Sequence, residues 1–177
     1  MSEKAYALFL PPDDLAQKPA KEWTGREAKA YFNWVLGGLD QRVTGFLQYV
    51  DESADQSAES LLKCVGEKLE NILRNIDFYR EATDGRRLSN AGYAIAADAG
   101  LLIAKCLIEK GEGKISWETL DKPKSAQSFN LPVLMGFASK VELDPVAASI
   151  AQATGVLRGT DKKDRWLKLY EYWITQI

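Results

Sequence analysis

The sequence predicts a mainly α fold, with residues 1–177 forming a single helical domain of about six helices around a central apolar helix at residues 90–110. Three observations predict it. Apolar residues recur every three or four positions through most of the chain, the spacing of a helix with one buried face. Ala91 to Ile108 is apolar nearly all round, the signature of a helix enclosed by others. A chain of 177 residues with 46% apolar and 27% charged side chains supports one substantial core and is small for two.

Residues 1–23 read as an extended arm or short N-terminal strand and a polar connection, with Pro11-Pro12 ending the apolar run Ala5 to Leu10. Thr24 and Glu27 have capping-box spacing, and Ala28, Tyr31, Phe32, Val35 and Leu36 follow as a helical stripe. Gly37-Gly38 predicts a kink or break before Leu39, Val43, Phe46, Leu47 and Val50 resume it, since each interior Gly costs up to about 1 kcal/mol. Asp55 and Ser57 are cap candidates for the next helix. Its stripe, from Leu61 through Leu69 and Leu73 to Ile76 and Tyr79, predicts a helix ended by Thr83-Asp84-Gly85. Ser89 or Asn90 caps the central helix, in which Gly92, Gly100 and several alanines let neighbouring backbones come close, and Gly111-Glu112-Gly113 stops it.

Residues 114–140 form an irregular region in which Ile115, Trp117 and Leu120 fit either a strand or a short helix. Asp144-Pro145, a cap followed by proline at the first helical position, starts a helix that runs to Leu157 and stops at Gly159. The last helix begins near Asp161, with Trp166, Leu169, Tyr170, Trp173, Ile174 and Ile177 on one side. No fixed-period repeat and no interdomain linker is visible.

Composition bounds the function. A net charge of −2 and a pI near 5.4 argue against a nucleic-acid partner held by a general basic field. The six-residue run Ala5–Leu10 is too short for a secretory signal core, which needs roughly 7–15 apolar residues. Asp98 and Lys105 interrupt the most apolar window, so the sequence predicts no membrane span. Cys64 and Cys106 are too few for a disulfide framework and read as reduced core residues of a cytoplasmic protein.

The absence of histidine removes Ser-His-Asp and Cys-His nucleophiles and the usual imidazole metal ligands. Glu67 and Glu70 have the three-residue spacing of a metal pair, but on a polar face they read as solvated. No phosphate-cradling Gly motif is present, and Gly111-Glu112-Gly113-Lys114 follows a helix. Asp51-Glu52-Ser53-Ala54-Asp55 is similar in spacing to the D-D-x-x-D magnesium cluster of helical prenyl-transferring enzymes. Its second residue is Glu and no second acidic motif follows, so it reads as a loop with helix caps. No metal and no cofactor is expected.

Asp98 is the sharpest anomaly, a carboxylate in an otherwise apolar helix. Buried there it needs a partner, with Arg86, Arg87, Arg158, Arg165 or a tyrosine hydroxyl as candidates. Its other reading is a ligand-contacting acid in a pocket. Arg86-Arg87, just before the helix start at Ser89-Asn90, are candidates for holding an anion. Two further regions are candidate surfaces for a protein partner: Lys122, Lys124, Ser128 and Asn130 in the irregular loop, and Trp166 and Tyr172 in the aromatic and basic C-terminal helix.

These observations favour a small protein that acts by binding a protein partner, with an immunity- or antitoxin-type inhibitor as a concrete form. The alternative is a helical small-molecule binder or histidine-free enzyme with a pocket near Asp98. A third is a homo-oligomeric structural protein joined through the C-terminal aromatic helix.

Overall fold

The structure, a computed structural model, describes residues 5–160 and 162–177. Lys4 and the helix start expected near Asp161 lie outside the described residues. Among these residues the protein is mainly α, with six α-helices and two small two-stranded sheets.

Residues 5–12 belong to no helix or strand and form an extended arm. After a short helix α1 (Asp13–Ala16), which buries Leu15, a 3₁₀ turn at Ala20–Glu22 leads to α2 (Gly25–Tyr49). Thr24 caps α2 as its spacing predicts: its Oγ1 accepts from the Glu27 amide, and the Glu27 carboxylate accepts from the Thr24 amide at 2.7 Å. The expected break at Gly37-Gly38 does not occur. Val35 before the glycines and Val43, Phe46 and Leu47 after them are buried, so packing along one unbroken helix outweighs the backbone entropy of two glycines.

α3 (Ala58–Leu73) starts at Ser57, whose Oγ accepts from the Ser60 amide, and buries Leu61, Leu62, Val65, Leu69 and Leu73. The helix ends earlier than its stripe predicts. Asn75 caps a 3₁₀ turn at Ile76–Phe78, Ile76 points largely to solvent, and the chain forms a hairpin of β1 (Tyr79–Ala82) and β2 (Gly85–Leu88). Tyr79 pairs with Leu88 and Ala82 with Gly85, leaving Thr83-Asp84 as the two-residue turn. Asp84-Gly85 is a hairpin signal as well as a helix stop, and Gly85 sits at φ +116°.

Ser89 caps α4 (Asn90–Lys110), accepting from the Gly92 amide at 3.1 Å. Fourteen of the 21 residues of α4 are buried. The helix is long and apolar enough to cross a membrane by length and composition, beyond what the interrupting charges predict, but 78% of its apolar window lies inside the protein. It packs on α2, on α5 (Pro145–Leu157) and on α6 (Arg165–Ile174). The contact with α5 is the closest: a Cβ added at Gly100 would overlap the Pro145 carbonyl.

Residues 114–140 carry a second antiparallel hairpin, β3 (Ser116–Thr119) with β4 (Pro132–Met135), so Trp117 lies in a strand. Leu143 continues the sheet through paired backbone bonds with Leu134. Asp144 caps α5, accepting from the Ala147 amide at 2.9 Å, with Pro145 in the first turn.

Candidate functional site

Asp98 is buried on α4 and fully engaged. The Arg42 guanidinium on α2 grips it with Nε at 2.5 Å from Oδ1 and Nη2 at 2.7 Å from Oδ2, and the Tyr6 hydroxyl donates to Oδ2 at 2.6 Å. Arg42 also donates to the carbonyls of Leu8 at 3.1 Å and Ala7 at 3.3 Å, and lies 4.6 Å over the Phe9 ring. Phe9 meets Trp34 edge-on at 5.0 Å. One guanidinium thus ties α4, α2 and the arm together. Burial pushes the Asp98 carboxyl pKa up, with Arg42 and Tyr6 pulling against it. Burial first, and the Asp98 charge second, raise the Tyr6 phenol.

A tyrosine is among the partners the sequence proposes for Asp98; the four arginines are not the ones that bind it. Arg42 was missed although the signal is present, because it stands three residues after Leu39 and four before Phe46, on the buried face of α2.

Beside this cluster lies a groove of about 970 Å³, open to solvent on one side. Arm residues 5–7 form one wall, and Gln41, Thr44, Gly45, Gln48 and Tyr49 of α2 form the other, with Asp98 also in the lining. Tyr49 is 40% exposed and stacks edge-on against Tyr6 at 4.9 Å. Among the described residues nothing lies within 4 Å of a Cβ added at Gly45, Gly37 or Gly38.

A second, smaller cavity of about 200 Å³ lies where α2, β4 and α5 meet, lined by Tyr31, Val35, Trp117, Leu131, Asp144 and Ile150 among others. Asp144 is half-buried, and burial pushes its pKa up. The Tyr31 phenol is pushed up to about 12 by burial and then by the charge of Asp144.

The remaining candidates separate. Arg86 and Arg87 lie on β2, not at the start of α4, and are spent locally: Arg86 pairs with Glu81 at 3.0 Å and stacks on Tyr79, and Arg87 pairs with Asp84 at 2.7 Å. Hairpin alternation, invisible while the segment read as helix, turns the two guanidiniums to opposite faces. Trp166 is not a partner surface, because its ring is buried and its Nε1 donates to Ser149 Oγ at 2.8 Å. Asn130 is buried too, at φ +67°, donating to the carbonyls of Ala20 and Trp23, so it pins the N-terminal connection to this loop. Ser128 is half-buried, and its hydroxyl favours the charged form of Asp144. Lys122, Lys124 and Tyr172 are exposed.

Among the described residues no group of three or more Cys, Asp or Glu is placed to hold a metal ion. Glu52 of the acidic loop pairs with Lys68 at 2.8 Å. Cys64 and Cys106 are free thiols, and burial pushes the Cys106 thiol up to about 11, away from a reactive thiolate. The chain matches no protein-family model, no curated protein and no solved structure.

Proposed function

We propose that this chain acts by binding another protein, and that the groove between the arm and the second half of α2 receives it. The groove itself is the observation that carries the reading. At about 970 Å³ and open to solvent it can admit a segment of polypeptide, and its α2 wall offers bare backbone at Gly45 beside Gln41, Thr44 and Gln48, with Tyr49 also in the lining. The complementary partner is a helix or extended segment with small and apolar side chains over Gly45 and Tyr49 and amide or hydroxyl groups toward Gln41, Thr44 and Gln48. Leu8 and Leu10, both exposed on the adjoining arm, extend the apolar contact.

Within this class, the specific form is a cytoplasmic one-to-one inhibitor of the immunity or antitoxin type, in a single helical domain organised around α4. The small size, the near-neutral charge and the lack of histidine chemistry support it. The small-molecule alternative centred on Asp98 is weaker, since that carboxylate already accepts from Arg42 twice and from Tyr6.

The test is affinity capture from the native host with wild-type and Gly45→Arg chains in parallel. Among the described residues nothing lies within 4 Å of a Cβ at this position, so Gly45→Arg is expected to keep the fold. A stoichiometric protein captured by the wild type and lost with Gly45→Arg is the expected result. Equal capture by both chains, or no stoichiometric partner, overturns the reading; growth rescue on co-expression with a captured toxin identifies the inhibitor form.

A further inference from the structure

The smaller cavity has a composition that the groove lacks. Its walls are aromatic and aliphatic, Tyr31 and Trp117 with Val35, Leu131 and Ile150, and a single carboxylate, Asp144, stands in its lining. The Ala147 amide donates to that carboxylate at 2.9 Å, and the Val146 amide and Ser128 hydroxyl favour its charged form. All three are neutral. Among the described residues Asp144 has no ion pair, in contrast to Asp98, whose charge Arg42 answers. Burial accordingly raises its pKa without a cation to oppose it.

A half-buried carboxylate in a cavity lined by a tyrosine and a tryptophan suits an organic cation, through an ion pair at the carboxylate and contact with the aromatic rings. The volume of about 200 Å³ is below the roughly 300–1,000 Å³ of drug-sized pockets, so it suits a short chain rather than a large ligand. We propose that this cavity is a binding site for a short alkylammonium group, either a small free amine or a lysine side chain of a partner, with the ammonium at Asp144 and the alkyl chain between Tyr31 and Trp117. This site is separate from the α2 groove and stands or falls independently of it.

The experiment is an NMR titration of the full chain with n-butylammonium, using 1-butanol and butanoate as same-length controls and N-acetyl-lysine methylamide as the side-chain probe. Saturable shifts at the Trp117 indole N–H and the Ile150 methyls with butylammonium, at least about tenfold weaker with butanol and absent with butanoate, are expected. Binding of the lysine probe assigns the source to a protein side chain, and its exclusion while butylammonium binds assigns a free amine. Asp144→Asn retains a good helix cap, because Asn caps as well as Asp, and is expected to weaken binding at least about tenfold. Ala147→Leu adds bulk to the cavity lining while keeping Asp144 and the backbone amide that binds it, and is expected to abolish binding. Equal binding of butanol, undiminished binding to Asp144→Asn at unchanged thermal stability, or no saturable shift overturns the proposal.

Discussion

Arg42 and Asp98 meet through two parallel hydrogen bonds, Nε to Oδ1 at 2.5 Å and Nη2 to Oδ2 at 2.7 Å, across the contact between α2 and α4. The same guanidinium holds the Ala7 and Leu8 carbonyls, so neutralising the buried acid and placing the arm are one event. Removing Arg42 leaves an uncompensated carboxylate, and breaking a buried pair in that way costs about 3–5 kcal/mol. Arg42→Ala is therefore expected to lower unfolding free energy by about that amount in urea titrations and to open residues 5–12 to limited proteolysis. The double replacement Arg42→Met with Asp98→Leu is expected to lose much less than the two single changes summed. Additive losses would mean that the pair does not act as a unit.

Tyr6 offers a milder probe of the same cluster. Tyr6→Phe removes one donor, while Arg42 still satisfies both carboxylate oxygens. A hydrogen bond to a charged group contributes about 1.5–3 kcal/mol, so Tyr6→Phe is expected to cost that much by chemical denaturation, less than Arg42→Ala. A loss as large as that of Arg42→Ala would show that the phenol, not the guanidinium, carries the cluster.

Trp166 and Ser149 make a comparable neutral pair in the core, both fully buried and joined at 2.8 Å. Ser149→Ala leaves the indole N–H without its acceptor, and an unsatisfied buried donor costs about 1–3 kcal/mol. Ser149→Ala combined with Trp166→Phe removes both polar groups, so its loss is expected to fall short of the sum of the single losses. Strict additivity in urea denaturation would exclude the coupling.

Glu27 carries a pH dependence with a definite sign. Its pKa is lowered to about 2, first by the Lys18 ammonium at 2.7 Å and then by the Thr24 amide and hydroxyl. A carboxylate with a depressed folded pKa stabilises the fold above its ordinary pKa, and that contribution fades as pH falls from about 4.5 to about 2. NMR titration of the Glu27 carboxyl carbon is expected to give a midpoint near 2, and Lys18→Ala is expected to raise it. An ordinary midpoint near 4.5 would exclude the interaction.

The caps at Thr24, Ser57, Ser89 and Asp144 were legible because each is a local rule: a short acceptor side chain, an amide two or three residues on, and an apolar stripe behind. The close approaches along α4 were legible for the same reason, since Gly92 and Gly100 leave room that any other residue would fill. The β1–β2 hairpin was not. Ile76 and Tyr79 continue the α3 stripe in register, and only the Asn75 cap and the Asp84-Gly85 turn, which also fits a helix end, break the ambiguity. The candidate site was half legible. Asp98 stands out by composition, but its partner Arg42 lies 56 positions away and meets it only through the packing of α2 on α4, which no local pattern encodes. Trp166 and Asn130 read as surface because aromatic and amide side chains serve core and interface equally well, and only burial decides.

Gly45 separates stability from binding. It lies in the interior of α2, exposed, with none of the described residues within 4 Å of an added Cβ, and Gly37 shares that setting. An exposed helical glycine is less favourable than alanine by about 0.8–1.0 kcal/mol, with no contact here to offset the difference. Gly37→Ala and Gly45→Ala are each expected to raise the melting temperature by roughly 2–4 °C, as about 1 kcal/mol does in a chain of this size. The positions lie two turns apart and share no partner side chain, so the gains should add. Gly45→Arg is expected to keep most of the thermal gain while losing the captured protein, because a side chain then occupies the space the partner backbone needs. If Gly45→Arg melts lower than the wild type, the position is covered from within the chain and the groove is not free to receive a partner.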